Sequence, residues 1–415
     1  MSQLEDVFCM EWGRILSALI SALGDFDLAE EALQEAFSFA VVEWARETPR
    51  NPRAWLYTTA KHKAIDTIRR RANFAEKETE LVVREELRTT GAAEIEEDST
   101  VPDERLRLIF TCCHPALPPE AQVALTLRTL CGLTTEEIAR AFLLPTPTIA
   151  QRLVRAKTKI RKAAIPYRVP SAPDVPERLS VVMAVVYLVF NEGYAAAHGD
   201  ALVRHELCSE AIRLTRLLRT LLPVPYAELD AVLALMLLHD SRRSTRVNTH
   251  GELVLLKDQD RTLWNRAQID EGCALVQSAF QTGPIGPYAI EAAIAALHAK
   301  AACPEDTDWS QISALYGRLF ALYRSPVVAL NHAVALSMAE GPEAALPLVD
   351  ALESSLADYH LWHATRADLF RRLGRTTEAL SCYKRALELA QNEVERRFLS
   401  GRVKELSALT IPKGL

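Results

Sequence analysis

Glycine is scarce in this chain, 15 of 415 residues, which disfavours Gly-rich phosphate loops and turn-dense all-β folds alike. Long apolar runs are missing too. The longest, LSVVMAVVYLVF at 179–190, falls well short of the roughly 20 residues needed to cross a bilayer, and it reads as a buried helix with no membrane role. The opening MSQLEDVFCMEW carries Glu5 and Asp6 where a secretion signal would carry Lys or Arg. Eight cysteines without an export signal predict reduced thiols in a cytoplasm. There is no HExxH, no CxxC pair and no GxSxG, so His198, His205, His239, His250 and Cys208 read as scattered histidines and a thiol rather than ligands. TCCHP at 111–115 reads as buried, inert thiols. No catalytic residue, metal or cofactor is expected.

What is present is helix. The apolar fraction of 49% and charged fraction of 25% are those of a soluble globular protein, and the length predicts two or three domains. Val7, Phe8, Trp12, Ile15, Leu16, Leu19 and Ile20 recur at helical spacing. Asp25 and Asp27 stand where a second helix should start, and Asn51 with Pro52 opens a third, AWLYTTAKHKAIDTIRRRA. Residues 73–105 then hold eleven acidic side chains against four basic ones, a solvated linker with little to bury.

Periodicity resumes with two helices around HPALPP, followed by LTTEEIARAFLLPTPTIAQRLVRAKTKIRK at 133–162. Thr134 or Thr135 suits an N-cap, and Ile138, Ala139 and Phe142 form an inner face. LLPTP turns the chain, Thr146 or Thr148 caps the next helix, and Ile149 and Leu153 bury it. This is helix-turn-helix geometry, which places Thr146, Thr148, Gln151, Arg152 and Arg155 toward a major groove, with Lys157 and Lys159 further along the same helix. From Leu143 to Arg168 there are seven Lys or Arg and no acid. A run of one sign suits a polyanion although the whole chain has net charge -6.

The segment DFDLAEEALQEAFSFAVVEWARETPRNPRAWLYTTAKHKAIDTIRRR resembles region 2 of bacterial sigma factors of the extracytoplasmic function type. LTLRTLCGLTTEEIARAFLLPTPTIAQRLVRAKTKIR resembles their region 4. The two stand in the right order around an acidic linker. The resemblance implies a partner, core RNA polymerase, met at the β′ clamp through Glu30, Glu31, Gln34 and Glu35 and at the β subunit. It also implies promoter DNA. Arg50, Asn51 and Arg53 would hold an extruded base of the -10 element, with Lys61, Lys63, Arg69, Arg70 and Arg71 on phosphates. Trp55 reads as core. The helix-turn-helix would read the -35 element. A conventional regulator, a helix-turn-helix joined to a tetratricopeptide sensor, would explain the motif and the tail but not the first 75 residues.

Four prolines at 164–177 separate this part from a larger helical one. YHLWHATRADLFRRLGRTTEALSCYKRALELA at 359–390 has Ala367, Gly374, Ala379 and Ala386 at the small positions of a tetratricopeptide unit, with Phe370 and Tyr383 as bulky partners. The tail therefore resembles the fused tetratricopeptide-like extension of one sigma subgroup, and a regulatory protein or peptide is the partner it suits. Asn191, Glu192, Tyr194, Asp240, Arg242, Arg243, Asp258, Gln259, Asp260, Arg261 and Trp264 are candidates for one functional surface, or for buried ion pairs and caps between irregular repeats. Two roles stay open for the tail: an internal regulator, or a contact needed for activity. The expected architecture is all-α: region 2 at 1–75, a linker at 76–104, region 4 at 105–165, a Pro-rich linker at 166–178 and an α-solenoid at 179–415.

Overall fold

Asp25 caps the second helix by accepting from the backbone N–H groups of Asp27 and Leu28, and Asn51 caps the third by accepting from Ala54 N at 3.1 Å. These caps set the boundaries of the first three helices in a computed structural model that describes residues 3–44, 48–74, 104–142, 144–194, 205–248 and 252–410. The expected acidic linker lies almost wholly outside the described residues. All of the regular elements described are helices, apart from an isolated antiparallel bridge between Val247 and Leu253.

The chain divides into two units, 1–185 and 186–415. In the first, α1 (Gln3–Leu23), α2 (Phe26–Glu43) and α3 (Pro52–Phe74) form one bundle. Trp12, Ile15, Leu16, Leu19, Leu33 and Leu56 fill its core, each 2% exposed or less. Then come α4 (Glu104–Cys112), α5 (Pro119–Thr129), α6 (Thr135–Phe142) and α7 (Thr146–Lys162). The turn into α6 is a reciprocal capping box: Thr134 N–H donates to the Glu137 carboxylate at 2.7 Å, and Glu137 N–H donates to Thr134 Oγ1 at 3.1 Å. Helix α7 starts differently from expectation. Its N-cap is Pro145, which has no side-chain acceptor: the Thr148 and Ile149 N–H groups donate to the Pro145 carbonyl, so the helix begins one residue before a Thr146 cap would set it. Thr146 and Thr148 are thus ordinary first-turn residues.

Helix α8 (Val175–Tyr194) carries the chain into the second unit. There follow α9 (His205–Leu221), α10 (Ala227–Asp240), three short 3-10 turns, α11 (Arg266–Thr282) and α12 (Pro287–Lys300). Beyond them lie α13 (Trp309–Leu322), α14 (Pro326–Ala339), α15 (Pro342–Asp350), the short α16 (Glu353–Leu356), α17 (His360–Arg372), α18 (Thr376–Leu389) and α19 (Glu393–Thr410). Helices α17 and α18 close tightly because Ala367, Ala379 and Ala386 are fully buried between them, flanked by Phe370 and Tyr383. Gly374 makes the turn at φ +72°, where a side chain would be strained. Trp362 locks α17 to α15 by donating its indole N–H to the Val349 carbonyl at 2.8 Å.

Candidate nucleic-acid interface

Three of the expected base-holding residues meet at the start of α3. Arg50, Asn51 and Arg53 line a cavity of about 520 Å³ together with Val7, Glu11, Arg14 and Pro52. Asn51 has a second duty there as the helix cap. Farther along α3, Lys63 lies 3.7 Å from Glu35 and 5.8 Å from the centre of the Phe39 ring. Lys61 is half-buried, and Arg69 and Arg70 are exposed, with Arg69 3.8 Å from Asp66 and Arg70 3.3 Å from Thr67 Oγ1. The side chain of Arg71 lies outside the described residues. Trp55 is only half-buried, stacked on Phe39 and edge-on to Trp44.

Helix α7 buries Ile149, Leu153, Ala156 and Ile160 and turns the opposite side to solvent. Gln151, Arg155 and Lys159 are exposed there, while Thr146, Thr148 and Arg152 are half-buried. Arg155, Lys159 and Lys162 rim a shallow groove beside Val154.

Lys157 departs from this face. Its ammonium is 2.7 Å from Glu30 and 2.8 Å from Asp27, both on α2, and its side chain is 12% exposed. Burial alone would lower its pKa, but Glu30 and Asp27 more than offset that and hold it above the ordinary lysine value. Glu30 is also ion-paired with Arg128 of α5, whose guanidinium donates to the Leu133 carbonyl at 3.0 Å as well. Glu30, expected to face a partner, is therefore buried inside the unit. Glu31 and Gln34 remain exposed, and Glu35 is half-buried.

Packing reinforces this clasp. Gly132, at φ +73° in the turn before α6, sits so close to α1 that a Cβ would stand 2.9 Å from Phe8 and 3.1 Å from Trp12. Tyr167 donates from its hydroxyl toward the Ser17 carbonyl of α1 at 3.0 Å.

In the second unit several expected residues converge. The Trp264 indole donates to the Thr245 hydroxyl at 3.1 Å, which lies 3.2 Å from the Gln259 amide oxygen. Arg242 reaches the same oxygen at 3.4 Å and approaches the Tyr194 ring. Asp240, 1% exposed, pairs with Arg243 and accepts from Gln268 at 2.7 Å. Arg261 donates to the carbonyls of His298 and Ala301 at the end of α12. Asn191 bonds to Tyr187 instead, Asp258 is exposed, and Asp260 caps a 3-10 turn through Thr262 N. Glu192 is half-buried. His239, Thr245, Arg246 and His298 complete the cluster.

Family models match both parts of the first unit: "Sigma-70 region 2" over residues 13–74 and "Sigma-70, region 4" over 107–160. The chain belongs to the sigma-70 family. In the second unit of this sigma factor, "Tetratricopeptide repeat" matches 363–393, and "Family of unknown function (DUF6596)" matches 178–280. The factor is 44% identical over 399 residues to an uncharacterized protein of Rhizobium meliloti (strain 1021), covering 95% of this chain and 93% of that one.

The sigma factor thus holds its region 2 and region 4 helices against each other through Glu30, Arg128 and Lys157. Cys112 and Cys113 are buried and hydrogen-bonded to the Thr129 and Thr126 hydroxyls, and burial pushes both thiols up. Among the described residues no group of His, Cys, Asp and Glu is placed to hold a metal, and no helix is long and apolar enough to cross a membrane.

Proposed function

We propose that this sigma factor is of the extracytoplasmic function type, directing core RNA polymerase to promoters and helping to open them, with its C-terminal unit setting that activity. The observation that carries the reading is the pairing, within one unit, of the Arg50–Asn51–Arg53 cavity with a capped helix-turn-helix whose outer face bears Gln151, Arg155 and Lys159. The first suits an unstacked base entering beside guanidinium and amide donors, which offsets part of the few kcal/mol spent on unpairing. The second suits a duplex: Arg155 and Lys159 position on phosphates, and Gln151 can read base edges.

On this reading the free factor is closed. Glu30 belongs to the face offered to polymerase and Lys157 to the face offered to DNA, and in the closed form each occupies the other. Binding to the β′ clamp takes Glu30, releases Lys157 and lets region 4 reach the -35 element. The test is run-off transcription with purified bacterial core polymerase, full-length factor and promoters selected from the source genome. Transcripts that start at discrete sites only when the factor is added support the proposal. Specific duplex binding without polymerase, and no transcript with it, would instead indicate a conventional regulator.

A further inference from the structure

The second unit gathers positive charge around Tyr194, and Glu305 and Asp306 act on Arg261 without an ion pair to it among the described residues. The guanidinium of Arg246, 8% exposed, lies 3.7 Å from the centre of the Tyr194 ring. That of Arg242 lies 5.5 Å from the same ring, and the His239 ring centre is 5.0 Å from it. Arg261 stacks on Trp264 and reaches back to the His298 carbonyl. Among the described residues no ion pair joins Arg242, Arg246 or Arg261 to an acid. The nearby Asp240 gives one carboxylate oxygen to Arg243 and Gln268, and its Oδ1 is buried without a hydrogen-bond partner among the described residues. Glu395, which Arg246 does feel electrostatically, lies 3.1 Å from His360 Nε2.

Polar atoms are left over as well, two of them donors. The Tyr194 hydroxyl, Arg261 Nε and His298 Nδ1 are all buried without a hydrogen-bond partner among the described residues. Buried donors without acceptors are costly, and so are buried like charges without a counter-charge. Burial and the neighbouring arginines push His239 down to about 3 and His298 to about 4, so neither adds to the excess charge at neutral pH. Tyr194, Arg242, Arg261 and His298 keep partial exposure, so the cluster has an edge open to solvent.

We infer that Tyr194, His239, Arg242, Arg246, Arg261 and His298 form a binding site for a small oxyanion, a ligand bearing a phosphate or carboxylate group. Guanidinium groups supply charge-assisted, paired donors to such oxygens, and the Tyr194 hydroxyl adds a neutral one. The site lies wholly in the second unit, so it stands whether or not the first acts as proposed above.

The test is thermal unfolding of the full-length protein in inorganic phosphate and, separately, in citrate, each against chloride at matched ionic strength. At about a hundredfold excess over Kd, a Tm rise of roughly 5–10 °C is expected. Because the basic α7 can also collect anions, two variants locate the effect. Arg242→Gln removes a half-exposed charge, and Tyr194→Phe removes one donor while keeping the ring under Arg246. Each should weaken binding at least tenfold, and Tyr194→Phe decides the matter if Arg242→Gln fails to fold. A rise with phosphate alone identifies a phosphate-bearing ligand, and one with citrate alone a polycarboxylate. No rise with either anion, or a rise that both folded variants retain, overturns the site.

Discussion

Replacing Glu30 by Gln keeps the shape of the side chain and removes the charge that joins α2 to both α5 and α7. The Glu30 and Lys157 side chains are 9% and 12% exposed, and Arg128 is 12% exposed. Removing one partner from a buried ion pair costs about 3–5 kcal/mol, since the other charge stays buried and uncompensated. Asp27, 59% exposed, continues to hold Lys157, so about 2–3 kcal/mol is expected for Glu30→Gln. That is a shift of roughly 30–150-fold in the closed-to-open equilibrium. Hydrogen exchange of the free protein measures it directly: the hydrogen-bonded amides of Leu130 and Leu133 should lose protection by that factor, while those in the core of α17 and α18 should not change. A double-mutant cycle with Lys157→Met should give a coupling above about 1 kcal/mol. Coupling below about 0.3 kcal/mol, with unchanged protection at the 130–133 turn, would refute the clasp.

Four other outcomes follow from the same geometry. Gly132→Ala forces a Cβ against Phe8 and Trp12 at a positive φ and should cost about 1–3 kcal/mol, read from the urea midpoint of the first unit. Arg53→Ala should reduce run-off from a fully paired promoter at least tenfold and leave transcription from a pre-opened bubble template near wild type; equal loss on both would place Arg53 outside melting. Trp362→Ala should destabilise the second unit by about 3–5 kcal/mol, because the indole is 2% exposed and hydrogen-bonded. Burial and the neighbouring Glu228 raise the Glu291 carboxyl to about 7. With its folded pKa above the unfolded value, its contribution is fully present below about pH 4.5 and lost as pH rises through about 7, roughly 3 kcal/mol in all. Neutral His239 and His298 act in the opposite sense as pH falls below about 6.5, so the informative quantity is the stability of wild type minus that of Glu291→Gln, which should fall by that amount as pH rises from about 4.5 to about 7.

Local signals in the sequence carried most of the fold. The Thr134–Glu137 capping box, the apolar face of Ile149 and Leu153, and the small residues Ala367, Ala379 and Ala386 each act within one or two helices, where periodicity and cap chemistry are decisive. The two threonines both suit a cap, but the α7 hydrogen bonds start from the Pro145 carbonyl, which places Thr146 and Thr148 inside the first turn. Glu30 was not legible as a buried residue. The pattern AEEALQEAF shows an acidic face but not which cation meets it, and here Arg128 and Lys157 lie 98 and 127 residues away. In the second unit the polar stretches LHDSRRSTRV and GPYAIEAAIAALHA hold His239, Arg246 and His298, but which of their side chains face Tyr194 depends on tertiary packing. Trp55 reads as core from its position, and it packs at a half-buried aromatic corner with Phe39 and Trp44.

On the proposed reading, the double use of Lys157 would make the two halves of promoter recognition thermodynamically reciprocal. One ammonium would serve either the α2 carboxylates or a phosphate, so the apparent affinity for DNA would be discounted by the fraction of molecules that are closed. A protein that captures Glu30 must raise that affinity, and DNA that captures Lys157 must raise affinity for that protein by the same factor. Cooperative assembly on a promoter then needs no long-range signal, because a single side chain cannot be in two places.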